Sequence, residues 1–356
     1  MENPSHSQTT PLSYPPCFRP NTPQLSHQTN TTRDQKLELE HDPLPVIDFQ
    51  HIDLMKLEEA CMDWGIFRLV NHGIPLTLMS KVHEHVSNVF DIGFETKQKM
   101  FETIPASVLS YFWGTPALTP SGVALYKDGD KQSDQGTISY NWVEGLNYPL
   151  SQGSLDFCLD QYPMIRDMRT LLEEYGVHQE RIAKSIFGAM SQNLSICEEN
   201  EGYLSPSTGI LRVYRYPRSF FDKSTKVWGM EAHTDSSVVT ILNQYEVEGL
   251  QVLSPKDEWI DAKPIPNTLV VHLGDMMQAI SDDKYKSVKH RVMVNRERER
   301  ISMGYFVFPD NDCVIRSSNY KPFTYLDFRS QVQDDIKNLG VKVGLSRFKL
   351  NKYFYI

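Results

Sequence analysis

Two histidines and one aspartate in this chain have the residue types and spacing of a metal-binding set. One residue separates His233 from Asp235, and strand side chains alternate between two faces, so the pair would share a face. His290 begins a later β-like segment, with 54 residues between it and Asp235. Two histidines and one carboxylate on one face of a ferrous ion leave positions open for a co-substrate and oxygen. A lone His-x-Asp is usually an ordinary surface pair, so the prediction of an iron site depends on His290 returning to it.

A second pair, Arg300 and Ser302, has the chemistry to bind a carboxylate. It follows His290 by ten residues and stands at the head of an apolar segment, where a spacing of two predicts one strand face. The planar guanidinium can hold a carboxylate in a bidentate pair, and the serine hydroxyl adds a donor. The pair predicts a site for an anionic co-substrate.

Composition and charge exclude several classes of protein. The 356 residues are 40% hydrophobic and 23% charged, and no apolar segment reaches the roughly 18 residues that span a bilayer. A net charge of −9 argues against broad attraction to nucleic acid or to an anionic membrane surface. We therefore expect a small-molecule ligand, with no nucleic-acid partner and no membrane segment. The length permits one large domain or two.

The first 43 residues differ in composition from the rest. They are rich in Pro, Ser, Thr, Asn and Gln and have almost no aliphatic periodicity, which predicts a disordered leader at residues 1–43. An organellar transit peptide is the alternative, because Glu2 is the only acid before Asp34, but such peptides are usually Arg-rich and amphipathic. The five cysteines are scattered, with no C-x-x-C pair, which favours reduced thiols. We expect a cytoplasmic protein, with the nucleus also possible.

Hydrophobic periodicity predicts the elements that must position these residues. In the first half, a short strand at 46–49 precedes a helix that Gly65 ends, and a second strand follows in "IFRLVNHGI". Two longer helices are predicted at about 77–94 and 162–190. The second carries a stripe made of Met164, Met168, Leu171, Leu172 and Tyr175.

The segment after Gly209 is rich in short β-like runs. Six runs, from "ILRVYRY" to "ISMGYFVF", are separated by Gly, Pro, Asn and Asp turn signals. Many short strands at this spacing suggest a sandwich or barrel, and two Greek keys would give a jelly roll. A final helix is predicted at about 325–339, and the chain has no Gly-rich phosphate loop of the P-loop type.

The combined motifs resemble the plant 2-oxoglutarate and Fe(II)-dependent dioxygenases. The resemblance rests on His233-x-Asp235, His290 and Arg300-x-Ser302, with "PVIDF" and "WGIFRLVNHGIP" at the front, and extends from about residue 43 to the C-terminus. Within that superfamily, "HTDSSVVTILNQ" and "GDMMQAISDDKYKSVKHRV" look most like the gibberellin oxidase branch. The resemblance implies a mainly β fold with flanking helices and a double-stranded β-helix (jelly roll) core. It divides the chain into an N-terminal helix and strand region at 44–200 and a jelly-roll domain with a C-terminal helix at 201–356.

The resemblance also assigns roles to single residues. His233, Asp235 and His290 would bind iron, and Arg300 and Ser302 would bind the distal carboxylate of 2-oxoglutarate. Tyr216 would add a hydroxyl contact to the co-substrate, although its segment departs from the family pattern at Tyr214 and at 218–219. His272 stands where relatives commonly carry Asn, and we interpret it as a strand residue near the site.

The function implied is oxidation of a C–H bond of a small plant metabolite by a 2-oxoglutarate-dependent dioxygenase. A gibberellin or related diterpenoid is the favoured substrate, with O2 and 2-oxoglutarate as co-substrates, Fe(II) as cofactor and ascorbate as a supporting reductant. A specialised-metabolism enzyme acting on an alkaloid, phenolic or flavonoid is the alternative. A non-catalytic small-molecule receptor on the same fold is a third hypothesis. We expect a monomer. The aromatics of 111–113, Tyr140 and Trp142 are predicted either to line the substrate pocket or to fill the core.

Overall fold

The computed structural model of the chain describes residues 11–14, 39, 42–114, 141–150, 159–196, 202–218 and 227–350. The strands in these ranges are β1 (Val46–Asp48), β2 (Ile66–Val70), β3 (Ser110–Trp113), β4 (Glu144–Pro149), β5 (Ser205–Tyr216), β6 (Trp228–His233), β7 (Val239–Asn243), β8 (Leu250–Leu253), β9 (Trp259–Asp261), β10 (Leu269–Leu273), β11 (His290–Met293), β12 (Arg300–Phe308), β13 (Val314–Ile315) and β14 (Phe323–Thr324). The α-helices are α1 (Leu54–Glu59), α2 (Leu76–Asp91), α3 (Phe94–Thr103), α4 (Pro163–Leu194), α5 (Asp275–Ile280) and α6 (Tyr325–Leu339).

The strands form one large sheet, one smaller sheet and a hairpin. The large sheet has eight strands in the order β1-β2-β10-β7-β12-β5-β4-β3, and the smaller has four in the order β6-β11-β8-β9. All neighbours are antiparallel except the parallel pair β1 and β2. Strands from both predicted regions, 44–200 and 201–356, therefore share the large sheet. The expectation of a mainly β fold with flanking helices agrees with this sheet-rich architecture.

The two sheets pack face to face near one glycine. A Cβ placed on Gly229 of β6 would lie 2.4 Å from a ring carbon of Tyr216 on β5 and 3.3 Å from Val292 of β11. Any larger residue at this position would push the sheets apart, because real Cβ atoms do not approach ring carbons so closely. The ring of Tyr216, from the large sheet, therefore packs against the smaller sheet.

The entry into β2 depends on a second glycine. Helix α1 continues into a π-helical turn at Ala60–Trp64, and Gly65 ends it with φ of 66°. A Cβ on Gly65 would lie 2.1 Å from the carbonyl oxygen of Lys286, so the backbones meet closely here. This turn brings β2 into the large sheet beside β10. The prediction that Gly65 stops the helix is confirmed.

Most predicted elements are present, with some differences in boundaries. The predicted helix at 77–94 corresponds to α2, which ends at Asp91. The unpredicted elements are α3, α5, β3, β4, β6, β9, β13 and β14. β4 contains Gly145 and ends at Pro149, which weaken a strand pattern, and β9 has only three residues. In the predicted stripe of α4, Met168 and Tyr175 are buried, whereas Met164 is 42% exposed. None of the helices in the described ranges combines the length and the apolar character needed to cross a bilayer.

Part of the predicted leader packs against the folded chain. Ser13 and Tyr14 are both buried. The Tyr14 hydroxyl donates a hydrogen bond to the Glu299 carboxylate, and the Ser13 carbonyl oxygen accepts one from the Lys97 ammonium. Composition did not predict this contact, because it involves single residues within a polar, proline-containing segment. Pro11–Ser13 forms a 3-10 helix and the buried Asp42 carboxylate pairs with Arg68, so the prediction of a disordered leader is wrong at these residues. The rest of the predicted leader, apart from residues 39 and 43, lies outside the described ranges.

A buried group of charges underlies this contact. Glu144 of β4 accepts from Lys97 of α3 at 2.5 Å and from the Nε of Arg215 of β5 at 2.5 Å, and all three side chains are fully buried. Burial lowers the pKa of Lys97 to about 8, although the neighbouring Glu144 opposes that shift. The carboxylate is therefore the counter-ion that makes burial of two cations tolerable.

We expect Glu144→Gln to lower the free energy of unfolding by about 3–5 kcal/mol, because it removes the carboxylate that buried Lys97 and Arg215 share and leaves Lys97 without an ion-pair partner in the described residues. Arg215 keeps its longer ion pairs with Asp91 and Glu299. Chemical denaturation followed by circular dichroism measures this change. Glu180→Gln is the matched control, since Glu180 belongs to an exposed ion pair with Lys184, for which we expect a change of about 1 kcal/mol or less. Equal effects of the two variants would contradict the interpretation.

Candidate metal centre

Strand pairing brings the two histidines together. β6 and β11 are antiparallel neighbours, and His290 at the start of β11 lies directly opposite His233 at the end of β6. Directly paired residues point to the same face of a sheet, and the two rings lie 4.3 Å apart between centroids. Asp235 follows two residues after His233 but lies beyond the end of the strand, so strand alternation alone does not orient it. The three side chains converge as the sequence predicts, but Asp235 reaches the histidines from the loop after β6 and not from within the strand.

The donor atoms of the three side chains face one point. Asp235 Oδ1 lies 3.7 Å from His233 Nε2 and 3.7 Å from His290 Nε2. All three donor atoms lie within 4.8 Å of one another, a separation that suits coordination of a single ion. His233 keeps 28% of its side chain exposed, compared with 7% for Asp235 and for His290, so the group opens to solvent on the His233 side.

Backbone carbonyls set the tautomers of the two histidines. The Nδ1 of His233 lies 2.7 Å from the carbonyl oxygen of Glu231, and the Nδ1 of His290 lies 3.3 Å from that of Val288. A carbonyl oxygen can only accept, so each neutral ring carries its hydrogen on Nδ1. Each Nε2 therefore keeps its lone pair free of a proton, as metal coordination requires.

The electrostatics of the group also favour a cation. Burial lowers the pKa of His233, and burial together with the neighbouring His233 places the pKa of His290 well below its usual range. Burial would raise the pKa of the Asp235 carboxyl, but the surrounding histidines outweigh it and the pKa lies well below the ordinary value. The group thus has two neutral imidazoles and one carboxylate at neutral pH. These residues fit a divalent metal of the non-haem ferrous type.

Two residues that sequence reasoning missed hold the loop that carries Asp235. Lys342 donates to the carbonyl oxygen of Thr234 at 2.8 Å and to Ser236 Oγ at 3.0 Å, and it pairs with Asp275 at 2.6 Å. The backbone N–H of Asp275 donates to the carbonyl oxygen of Asp235 at 2.8 Å. The Gly274-Asp275 pair directly after β10 is a sequence signal that could have identified Asp275 as a site residue. Lys342 lies more than one hundred residues from Thr234, and no sequence pattern connects the two.

Arg300 and Ser302 lie where the sequence predicts them. Arg300 is 1% exposed, and its guanidinium donates to the carbonyl oxygen of Val247, to Ser302 Oγ at 2.9 Å and to Gln244 Oε1. Within the residues that the structure describes, it has no carboxylate partner, in contrast to Arg215. A fully buried guanidinium without a counter-ion is costly, so the arrangement suits an anionic ligand.

Tyr216 completes this second group. It pairs with Arg300 across β5 and β12, its ring lies 5.1 Å from the guanidinium carbon, and its hydroxyl interacts with both Arg300 and Ser302. Burial raises the pKa of Tyr216, so the hydroxyl remains a hydrogen-bond donor. A guanidinium and two hydroxyls thus converge, as the sequence predicts.

The two groups face the same space between the sheets. The ring of Tyr216 packs against Gly229 of β6, and a Cβ placed on Gly229 would also lie 3.3 Å from Val292 of β11. β11 pairs regularly with β8, so Val292 shares a face with His290 by strand alternation. Val292 is two residues from His290, a step of about 7 Å along the strand. A small dicarboxylate can therefore reach from the metal-binding group to Arg300.

The aromatic residues considered for the pocket divide between two faces. Phe112 packs edge to face on Tyr214, with 6.3 Å between ring centroids, and so borders the space between the sheets. Tyr111 faces the opposite side of the large sheet, where it stacks on Phe101 and donates to Glu144. Trp142 is buried, and Tyr140 lies outside the described residues.

We expect Asp235→Ala to weaken binding of Fe(II) or Co(II) by at least about a hundredfold, because it removes the one charged donor of the group. Isothermal titration calorimetry without oxygen measures the affinity. Glu258→Ala, which removes an exposed carboxylate in the turn after β8, is the control and should leave the affinity unchanged. Unchanged affinity in Asp235→Ala would exclude this residue as a ligand.

Two family models match segments of this chain. Residues 207–309 match the 2OG-Fe(II) oxygenase superfamily, and residues 44–125 match the N-terminal region described as non-haem dioxygenase in morphine synthesis. The first match contains all the residues of both groups described above. The second contains β1, β2 and the helices between β2 and β3.

Similar proteins cover most of the chain. Gibberellin 2-beta-dioxygenase 8 of Arabidopsis thaliana is 34% identical over 88% of this chain and 89% of its own length. Gibberellin 2-beta-dioxygenase 6 of Oryza sativa subsp. japonica is 30% identical over 82% of this chain and 78% of its own length. The solved structure of JOX2 in complex with 2OG, Fe and JA has a TM-score of 0.65 and 27% identity, covering 82% of this chain and 85% of that one. The chain therefore belongs to the 2OG-Fe(II) oxygenase superfamily and is an oxidoreductase of the dioxygenase type.

Proposed function

We propose that this protein oxidises a C–H bond of a gibberellin or a related carboxylated diterpenoid, with Fe(II) as cofactor and 2-oxoglutarate and O2 as co-substrates. One structural observation carries the reaction class: two neutral imidazoles, His233 and His290, converge with the Asp235 carboxylate and face the same space as the buried Arg300, which has no carboxylate partner among the described residues. The substrate class is supported by the relatives, four of which are gibberellin 2-beta-dioxygenases at 30–34% identity.

Each group of residues has a distinct role in this proposal. His233 Nε2, Asp235 Oδ1 and His290 Nε2 hold the ferrous ion, and Arg300 with the Ser302 and Tyr216 hydroxyls holds the distal carboxylate of 2-oxoglutarate. When bound, the ion supplies activation of O2 coupled to the decarboxylation of 2-oxoglutarate to succinate and CO2. The side chains fix the orientation of the co-substrate, and the enclosing sheets exclude bulk water from it.

We also propose that the two sheets form a jelly-roll core. The eight-stranded and four-stranded sheets enclose the two groups as the walls of a double-stranded β-helix, or jelly roll, with the metal at one end. We further propose that the protein is a monomer in the cytoplasm. Ascorbate is included as the reductant that keeps the iron ferrous.

Arg212 supports a carboxylated substrate. It alternates with Tyr214 and Tyr216 on β5, its guanidinium lies 4.6 Å from the ring of Phe306, and its buried Nε has no hydrogen-bond partner in the described part of the chain. Phe306 pairs with Thr240, which pairs on its other side with His272 near the metal-binding group. Neighbouring strands lie about 4.8 Å apart, so Phe306 is about 10 Å from His272 across the sheet. A gibberellin-sized carboxylate bound by Arg212 would therefore keep its carbon skeleton close to the metal.

Arg300→Lys should raise the KM for 2-oxoglutarate about 10- to 100-fold, since an ammonium cannot form the bidentate pair and charged hydrogen bonds contribute about 1.5–3 kcal/mol. Succinate formation as a function of 2-oxoglutarate concentration measures this. Arg298→Lys, two residues earlier and 44% exposed, should leave the KM unchanged. If Arg300→Lys has the wild-type KM for 2-oxoglutarate, the proposed carboxylate site is wrong.

The substrate proposal is tested by mass spectrometry of succinate and oxidised product, with Fe(II), ascorbate and 2-oxoglutarate, across C19 and C20 gibberellins, flavonoids and alkaloids. We expect turnover of a gibberellin free acid, much lower turnover of its methyl ester, and a raised KM for the free acid in Arg212→Met with the KM for 2-oxoglutarate unchanged. These outcomes follow because the methyl ester and the methionine each remove one partner of a charge pair.

Other outcomes separate the alternatives. Succinate coupled only to a flavonoid, phenolic or alkaloid would retain the reaction class and overturn the substrate. Ligand affinity without any succinate, in protein with confirmed iron and 2-oxoglutarate binding, would favour the non-catalytic receptor. Equal turnover of free acid and methyl ester would exclude Arg212 as the carboxylate partner.

A further inference from the structure

His272 is a fourth imidazole beside the candidate metal centre. It lies in β10, where every residue is buried, and is itself 2% exposed. Its ring packs edge to face on His290, with 4.6 Å between centroids. A buried imidazole ordinarily forms hydrogen bonds with at least one ring nitrogen, because burial without a partner costs about 1–3 kcal/mol.

The polar atoms of His272 face an equally unsatisfied oxygen. Neither ring nitrogen of His272 has a hydrogen-bond partner in the described residues, and neither does Asp235 Oδ2. His272 Nδ1 lies 3.7 Å from Asp235 Oδ2, which is slightly longer than a hydrogen bond. The other carboxylate oxygen, Oδ1, is the one that faces His233 and His290. The two oxygens of Asp235 thus face different partners.

The backbone of Asp235 is already held, so only its side chain remains to be oriented. Its carbonyl oxygen accepts from the N–H of Asp275, and the neighbouring Thr234 and Ser236 are bound by Lys342. A carboxylate at this place can turn about its side-chain bonds and bind a metal with one oxygen or with both. A donor on Oδ2 would favour coordination through Oδ1 alone, which keeps a further coordination position open.

We propose that His272 is a positioning residue that donates Nδ1–H to Asp235 Oδ2 when a metal is bound at Oδ1. The inference rests on the proposed metal centre. The hydrogen bond requires the carboxylate and the imidazole to approach by less than 1 Å from their 3.7 Å separation. The Nε2 of His272 then remains without a hydrogen-bond partner in the described residues.

Three substitutions separate this hydrogen bond from packing. His272→Asn keeps a possible N–H donor at the atom attached to Cγ, the position of Nδ1. His272→Gln moves the donor one atom further out, to the position of Nε2. His272→Phe keeps an aromatic ring of similar size and removes the donor.

The test measures metal affinity and coordination directly, without turnover. Anaerobic calorimetry gives the affinity for Fe(II) and Co(II), and the visible absorption of the Co(II) protein reports coordination number and geometry. We expect His272→Phe to weaken metal affinity about 10- to 100-fold and to change the Co(II) spectrum. His272→Asn should restore both to near wild type, whereas His272→Gln should behave like His272→Phe.

The possible results separate this inference from the proposed function. If wild type binds metal and all three variants match it in affinity and spectrum, the role of His272 is overturned while the metal centre stands. Equal loss in His272→Asn and His272→Phe also overturns it, because the donor at Nδ1 would then not be the cause. If wild type binds neither ion, both the metal centre and this inference are wrong. If His272→Phe does not fold, the metal affinities of His272→Asn and His272→Gln are compared, and equal affinities of these two variants would overturn the inference.

Discussion

The direct pairing of His233 with His290 across β6 and β11 is the constraint on which the site depends. Antiparallel partners share a face, so one register places two imidazoles together, and a slip of one residue would send them to opposite faces. The smaller sheet can present this pair to the large sheet only because Gly229 admits the ring of Tyr216. The same contact brings the hydroxyl of Tyr216 and the guanidinium of Arg300 within reach of a ligand bound at the histidines.

Buried charges in this protein follow two different patterns. Lys97 and Arg215 share Glu144 on the outer face of the large sheet, and this group needs no ligand because its charges are compensated within the chain. Arg300 is equally buried but has no carboxylate partner in the described residues. The proposed anion site therefore differs from the Glu144 group in lacking a carboxylate from the described part of the chain, and a buried charge without a counter-ion is costly.

The N-terminal region contributes to the site through the sheet rather than by direct contact with the histidines. β2 pairs with β10, and β10 carries His272 toward Asp235. The close approach of Gly65 to Lys286 links the same region to the segment that leads into His290. The N-terminal region thus helps to position β10 and the segment before β11, because each strand in a sheet is held by hydrogen bonds to its neighbours.

By itself, the sequence determined the reaction class, the main helices and most strands of the second half. Residue types with strict spacing, such as Arg300-x-Ser302, are local signals, and strand alternation preserves them in the fold. The tertiary structure alone decided that Asp235 lies beyond the strand end, that Lys342 and Asp275 hold its loop, and that His272 faces its free oxygen. It also decided that Ser13 and Tyr14 pack against a buried charge group. These features depend on contacts between residues up to 285 positions apart, and local patterns of hydrophobicity carry no information about such partners.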